Sequence, residues 1–317
     1  MTRKALLPVL VLVAFLSASA AAEAKVTVGI GQQDARMFDS PLWQALKLKK
    51  VRYLVPWNVV STPDQMAEVV GFMTKARSVN QQVLVTFTAT RGCFINGKYA
   101  KRKKLCKLPT VKQYTKAVKA FHRTFPFVKE YAAWNEANHV SQPTYKNPKR
   151  AAQYYLAFKK KVCKKCKVIA GDLLDSSNLR AYALKMRKVK GMKRAKLWGL
   201  HNYTDSNRRR SRGTSAMLRT VPGEVWVTET GGISIFTGSN LRPNAQTAVK
   251  AMKYLFSLAK KFGKKRRGMK SKITRLYPYD FGPSAPNMRF DASLLNPDGT
   301  PRPVFLAFAA LASKAKK

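Results

Sequence analysis

Acidic residues are scarce in this chain. Only 15 Asp and Glu stand against 61 Lys and Arg, a formal charge of +46 over 317 residues. A surface so short of negative charge attracts polyanions and repels other copies of itself. No Gly-rich phosphate cradle and no nucleotide-binding fingerprint are present, so neither a dinucleotide cofactor nor a specific nucleic-acid site is expected. Nothing after the first thirty residues is apolar for long enough to span a bilayer, and no composition shift marks a second domain. There are four cysteines, with a single C-x-x-C and no His close to it, which speaks against a structural zinc site.

The N-terminus has the layout of a secretory signal peptide. Arg3 and Lys4 precede an apolar run over residues 5–16, and small residues follow over 17–22. Several small-x-small sites lie there, and cleavage near Ala24 leaves a leader over 1–24 and one domain over 25–317. The apolar run is too short to be a comfortable membrane span, and no Cys follows it to carry a lipid. An exported chain favours disulfides. Four cysteines allow three pairings, of which the local ones, Cys93–Cys106 and Cys163–Cys166, are favoured. The first would add on the order of 2–3 kcal/mol by restricting the unfolded chain.

Apolar strands alternate with amphipathic helices along the rest of the chain. Strands are expected over 26–31, 51–57, 83–87, 131–138, 167–172, 195–203, 224–229 and 273–280. Capping boxes are expected at Thr62/Gln65 and Thr110/Gln113, and further helices over 149–161, 178–189, 244–262 and 303–315. Eight strands with helical connections predict a single-domain α/β fold, a (β/α)8 TIM barrel, in preference to an open doubly wound sheet.

In such a barrel, chemistry gathers at the C-terminal ends of the strands. The polar residues there are Gln32, Gln33, Trp57, Asn58, Asn135, Glu136, Asp172, His201, Tyr203, Glu229, Tyr279 and Asp280. Glu136 and Glu229 end two apolar strands, where a carboxylate is costly unless it has a use. Strand alternation puts Glu229 on one face with Val225 and Val227 and sends Trp226 outward, toward the helices. It also puts His201 and Tyr203 on a shared face. Strand four must break its alternation if Asn135 and Glu136 are to face the same ligand. Glu136-x-x-His139 has no partner motif, so no metal is expected.

Three motifs carry a resemblance. Trp134-Asn-Glu-Ala-Asn138 is similar to the W-N-E-P-N signature of clan A glycoside hydrolases, with Ala137 in place of Pro. His201-Asn-Tyr203 resembles the clan's H-x-Y on strand six, and Trp226-Val-Thr-Glu229 resembles its nucleophile strand. The likeness is nearest to the xylosidase and iduronidase type. It implies a cofactor-independent retaining hydrolase of equatorial glycosidic bonds. Glu136 would be the acid/base, its pKa raised, and Glu229 the ionised nucleophile. Asn135 would bond the sugar 2-hydroxyl, Tyr203 would orient Glu229, and Arg52 would favour its charged form. His201 would bond substrate or Glu136, while Trp57 and Tyr279 would stack on sugars. The implied partner is a poly- or oligosaccharide, and the basic surface favours an acidic one. The alternatives are a carbohydrate-binding barrel without turnover and a surface protein that binds polyanions through its charge.

Overall fold

The computed structural model describes residues 26–95, 98–283 and 288–316. The leader expected over 1–24 lies outside the described residues. Among the described residues, eight parallel strands form the barrel wall, and two of them are interrupted. Strand one runs as Thr27–Val28, paired with strand eight (Ser271–Pro278), and then as Ile30–Gly31, paired with strand two (Lys50–Pro56). Strand five does the same. Its first half, Lys167–Ile169, pairs with strand four (Glu130–Ala132), and its second, Asp172–Leu174, with strand six (Leu197–His201). Strand three (Gln82–Thr88) joins strands two and four, and strand seven (Gly223–Thr230) joins six and eight. The two split strands therefore close the ring into the expected (β/α)8 order.

Alternation sorts the side chains into two cores. In strand two, Val51, Tyr53 and Val55 pack outward, and Tyr53 stacks on Phe72 of the helix Pro63–Ser78 at 3.9 Å. Arg52 faces inward with a fully buried side chain. The inner core is a small cluster of Leu84, Ala132, Ile169, Trp226 and Tyr277. Trp226 is thus inside the barrel, not against the helices as alternation counted back from Glu229 requires. The reason is a bulge: strand seven pairs Val227 with Leu200 but Glu229 with His201, so one extra residue, Thr228, is inserted. Arg275 stacks over the Trp226 ring at 3.5 Å and pairs with buried Glu130, filling the barrel below the site.

Helix ends follow local chemistry. Thr110 and Gln113 form the expected capping box on the helix Val111–Thr124. Thr62 makes no side-chain cap, so the helix Pro63–Ser78 relies on Pro63 in its first turn. Asn244 and Thr247 cap the helix Ala245–Phe262 instead. Both local disulfides are present, Cys93–Cys106 and Cys163–Cys166. The first ties the loop after strand three, which carries a two-strand ribbon, Phe94–Ile95 with Lys98–Tyr99. No described helix is long and apolar enough to cross a membrane.

Candidate active site

Strand four stops at Ala132, well before the polar tip expected to belong to it. The chain then turns. Trp134 packs outward on Tyr154, with ring centroids 5.1 Å apart, and its indole N–H donates to Gln142 at 3.0 Å. Glu136 adopts a left-handed backbone, φ +41°, rare for a residue with a side chain. That turn is the required break in alternation, and it lets Asn135 and Glu136 address the same space. Asn138 fixes it from below, donating to the Leu174 carbonyl and accepting from the Leu174 N–H.

The site is built around two buried cations. Arg52 donates to Glu229 and to Asn135, each at 2.7 Å, and lies 3.5 Å from Asp172. His201 Nδ1 lies 3.1 Å from Glu136 and 3.8 Å from Glu229, while its Nε2 lies 3.3 Å from Asp172. The Thr228 hydroxyl donates to Asp172, so the bulge residue also belongs to the site. A carboxylate oxygen of Glu136 and one of Glu229 lie within 4.8 Å of each other and of a His201 nitrogen. Their side chains keep 17% and 13% of their exposure, enough to be reached from the mouth, whereas Arg52, Asp172 and His201 keep none.

Gly199 makes room for this arrangement: a Cβ there would come within 2.1 Å of Asp172 Oδ1. The Tyr203 hydroxyl donates to Glu229 at 3.2 Å as expected, but not from strand six. That strand ends at His201, and Tyr203 opens the short helix Tyr203–Asn207, so the two do not share a strand face.

Charge balance explains the titration of the cluster. Glu136, Asp172 and Glu229 surround one guanidinium, and the imidazole supplies the second cation. Burial pushes His201 down, but the Asp172 and Glu229 charges outweigh it and raise the imidazole to about 10. They do so although Arg52 Nη2 lies only 3.3 Å from Nε2. Burial pushes Glu136 up, yet its hydrogen bond to His201 and the charges of His201, His139 and Arg52 hold it below the ordinary value. The raised Glu136 expected of a general acid is therefore not found in the free protein. Asp172 is likewise held low: burial raises it, and His201 and Arg52 prevail. Burial raises Asp280 to about 6.

Of the remaining candidates, Tyr279 and Asp280 stay within electrostatic reach of Glu229, while the others make contacts elsewhere. Trp57 is half-buried against the outer core, so it offers little free ring face. Tyr279 is half-buried and packs close to Gly31, and burial raises its hydroxyl well above its usual range. Gln32 is buried and donates to the Gly282 carbonyl at 2.9 Å, Gln33 accepts from the Leu54 N–H, and Asn58 accepts from Thr90. His122 bonds Tyr131 beneath a helix, away from the cluster.

The rim aromatics were not legible in advance. Phe94, 44% exposed on the disulfide-tied loop, has its ring 6.4 Å from that of His139. Phe236 and Phe290 share a second ribbon, and Phe290 packs edge-on against Tyr203 at 5.3 Å.

Among the described residues, two groups have ligand atoms near enough for a metal. Glu136, His201 and Glu229 form one, but Arg52 already holds Glu229 and would repel a cation. The other is His122 with Cys163 and Cys166, whose sulfurs are bonded to each other.

No protein-family model matches the chain, and no curated protein matches it. Solved structures do. A family 39 glycoside hydrolase from the gut symbiont Bacteroides cellulosilyticus WH2 superposes with a TM-score of 0.60 at 17% identity, over 92% of this chain. The chain spans only 64% of that protein's length. Native xylanase 10B from Thermotoga maritima gives 0.58 at 12% identity, over 92% of this chain and 96% of that one. The CBM22-1–GH10 modules of a Clostridium thermocellum endo-1,4-beta-D-xylanase, complexed with xylohexaose, give 0.60 at 14% identity, over 91% and 66%. The fold is thus that of the TIM-barrel glycoside hydrolases.

Proposed function

We propose that the chain is a secreted retaining glycoside hydrolase acting on a β-linked poly- or oligosaccharide, with residues 1–24 as its leader and 25–317 as its catalytic domain. The observation that carries this reading is the approach of Glu136 and Glu229 within 4.8 Å at the mouth of the barrel. Retaining chemistry needs carboxyl groups about 5–5.5 Å apart, and inverting chemistry needs a wider gap for water. Glu229 attacks the anomeric carbon while Glu136 protonates the leaving oxygen. Glu136 then takes a proton from the water that releases the sugar. Arg52 and Tyr203 hold and aim Glu229 through their hydrogen bonds. Asn135, itself fixed by Arg52, faces the sugar 2-hydroxyl. The His201 cation stabilises Glu136 in the ionised form it takes as leaving-group protonation completes. The likeness to a xylanase, and to xylanase modules complexed with xylohexaose, supports a carbohydrate ligand.

The test is Glu136→Ala on a panel of aryl glycosides. A retaining acid/base variant keeps turnover of substrates with good leaving groups and is accelerated by azide, giving a β-glycosyl azide. Loss of turnover on all substrates, with no azide product, argues against the assigned role.

A further inference from the structure

A second feature of the same barrel face is a cavity of about 380 Å³ beyond strands five and six, lined by Arg180, Arg210 and Arg212 together with Ser176 and Ser177. We propose that it is a subsite for an anionic group, a carboxylate or sulfate, on the carbohydrate chain; as a substrate subsite it rests on the hydrolase reading above.

The three arginines come from separate segments. Arg180 lies in the first turn of the helix Leu179–Arg187, Arg212 opens the helix Arg212–Thr220, and Arg210 lies in the link before it. All three are exposed and line one concave volume instead of being spread over a helix face. Among the described residues neither Arg180 nor Arg212 has an ion-pair partner, and Arg210 has only Asp205, at 3.8 Å.

The nearby carboxylates are partly satisfied by backbone donors. Asp175 accepts from the Thr204 and Asp205 N–H groups, and Asp205 accepts from those of Gly213 and Thr214. Three like charges balanced only by the long Arg210–Asp205 pair repel one another, and an anion bound among them relieves that repulsion. Guanidinium forks match the paired oxygens of carboxylates and sulfates. The volume falls within the range of about 300–1,000 Å³ usual for small-ligand pockets.

Position ties the cavity to the catalytic cluster. Asp175, on its wall, follows Asp172 by three residues, and its N–H donates to the His201 carbonyl at 2.9 Å. A chain running out of the cleft over strands five and six would pass the arginines.

The overall charge makes non-specific anion binding a rival, so the experiment controls for it. Calorimetry with the full chain, in about 0.15 M salt to screen long-range attraction, compares three probes: an oligogalacturonide, a chondroitin sulfate oligosaccharide and a neutral xylo-oligosaccharide. The test variant is Arg180→Gln/Arg210→Gln/Arg212→Gln. The control, Lys112→Gln/Lys116→Gln/Lys119→Gln, removes the same charge from exposed positions of the helix Val111–Thr124. Melting temperatures establish that both are folded.

The arginine variant is expected to lose at least about tenfold in affinity for an anionic probe, and the control to stay within about twofold, since exposed charges contribute weakly one by one. The probe that shows the loss separates a carboxylate-only site from one that needs sulfate. Equal losses in the two variants, or no loss in either, overturn the subsite. Binding is read without turnover, so an affinity difference in a chain that hydrolyses nothing would leave the anionic site standing while the hydrolase reading fell.

Discussion

His201 Nδ1 lies 3.1 Å from Glu136 Oε1, and the same ring reaches Asp172 through its other nitrogen at 3.3 Å. An imidazole bridging two carboxylates keeps its proton, and the price is borne by Glu136, whose carboxyl is held below its ordinary range. This relationship sets the pH behaviour of the site.

The proposed mechanism needs Glu136 protonated in its first step, and the lowered carboxyl moves that requirement to the acid side. The basic limb of kcat/KM is expected below about pH 4.5, the ordinary glutamate range. His201→Asn removes the cation and Asp172→Asn weakens its hold, so each should move that limb to higher pH. A pH–rate profile of the three proteins on one aryl glycoside checks this. A role for Asp172 in packing alone would lower the rate without moving the limb.

The same imidazole gives a stability difference with a definite sign. Its folded value, about 10, is above its unfolded value of 6.5. Its contribution is therefore fully present below pH 6.5 and is lost as pH rises to 10. Melting curves should show the wild type more stable than His201→Gln near pH 6, with the gap shrinking steadily toward pH 10.

Arg52 touches Glu229 and Asn135 and lies against Asp172 from a fully buried position. Arg52→Met leaves those carboxylates without their fixed cation. Removing one partner of a buried pair costs about 3–5 kcal/mol, to be read in denaturant unfolding. The activity loss should exceed what unfolding explains, persisting at temperatures where the variant is fully folded.

The Cys93–Cys106 bridge holds the loop that brings Phe94 near His139, next to Glu136. Cys93→Ser/Cys106→Ser should raise KM for a polymeric or oligomeric substrate several-fold, since ordering the loop then draws on binding energy. Turnover of a small aryl glycoside should change little. Cys163→Ser/Cys166→Ser, on the link after the helix Pro148–Lys161, should leave both kinetic values near wild type.

The strand ends and their carboxylates could be read from sequence because each apolar run stops at a polar tip, as in Glu224-Val-Trp-Val-Thr-Glu229. The barrel order followed from alternation of strands and helices. What failed was local register. The Thr228 bulge reverses the inward and outward sides before Glu229, so Trp226 joins the inner core, and a bulge has no period of its own. Tyr203 reaches Glu229 from a helix that begins two residues after His201, and five residues are too few to show a helical period. Asp172 sat at a strand end like several others, and only the Arg52 and His201 contacts, made across the barrel, distinguish it. Thr62 had the right cap sequence, but its side chain makes no bond. Rim aromatics such as Phe94 and Phe236 gain meaning only from the ribbons that raise them beside the mouth.

The central claim is that Glu229 forms the bond to sugar. Incubation with 2-deoxy-2-fluoro-glycosyl fluorides of several configurations, followed by peptide mass spectrometry, tests it directly. The account predicts time-dependent inactivation with one fluorosugar attached to Glu229, and none in Glu229→Gln. A label on another residue, or turnover by the wild type with inversion at the anomeric carbon, would contradict it.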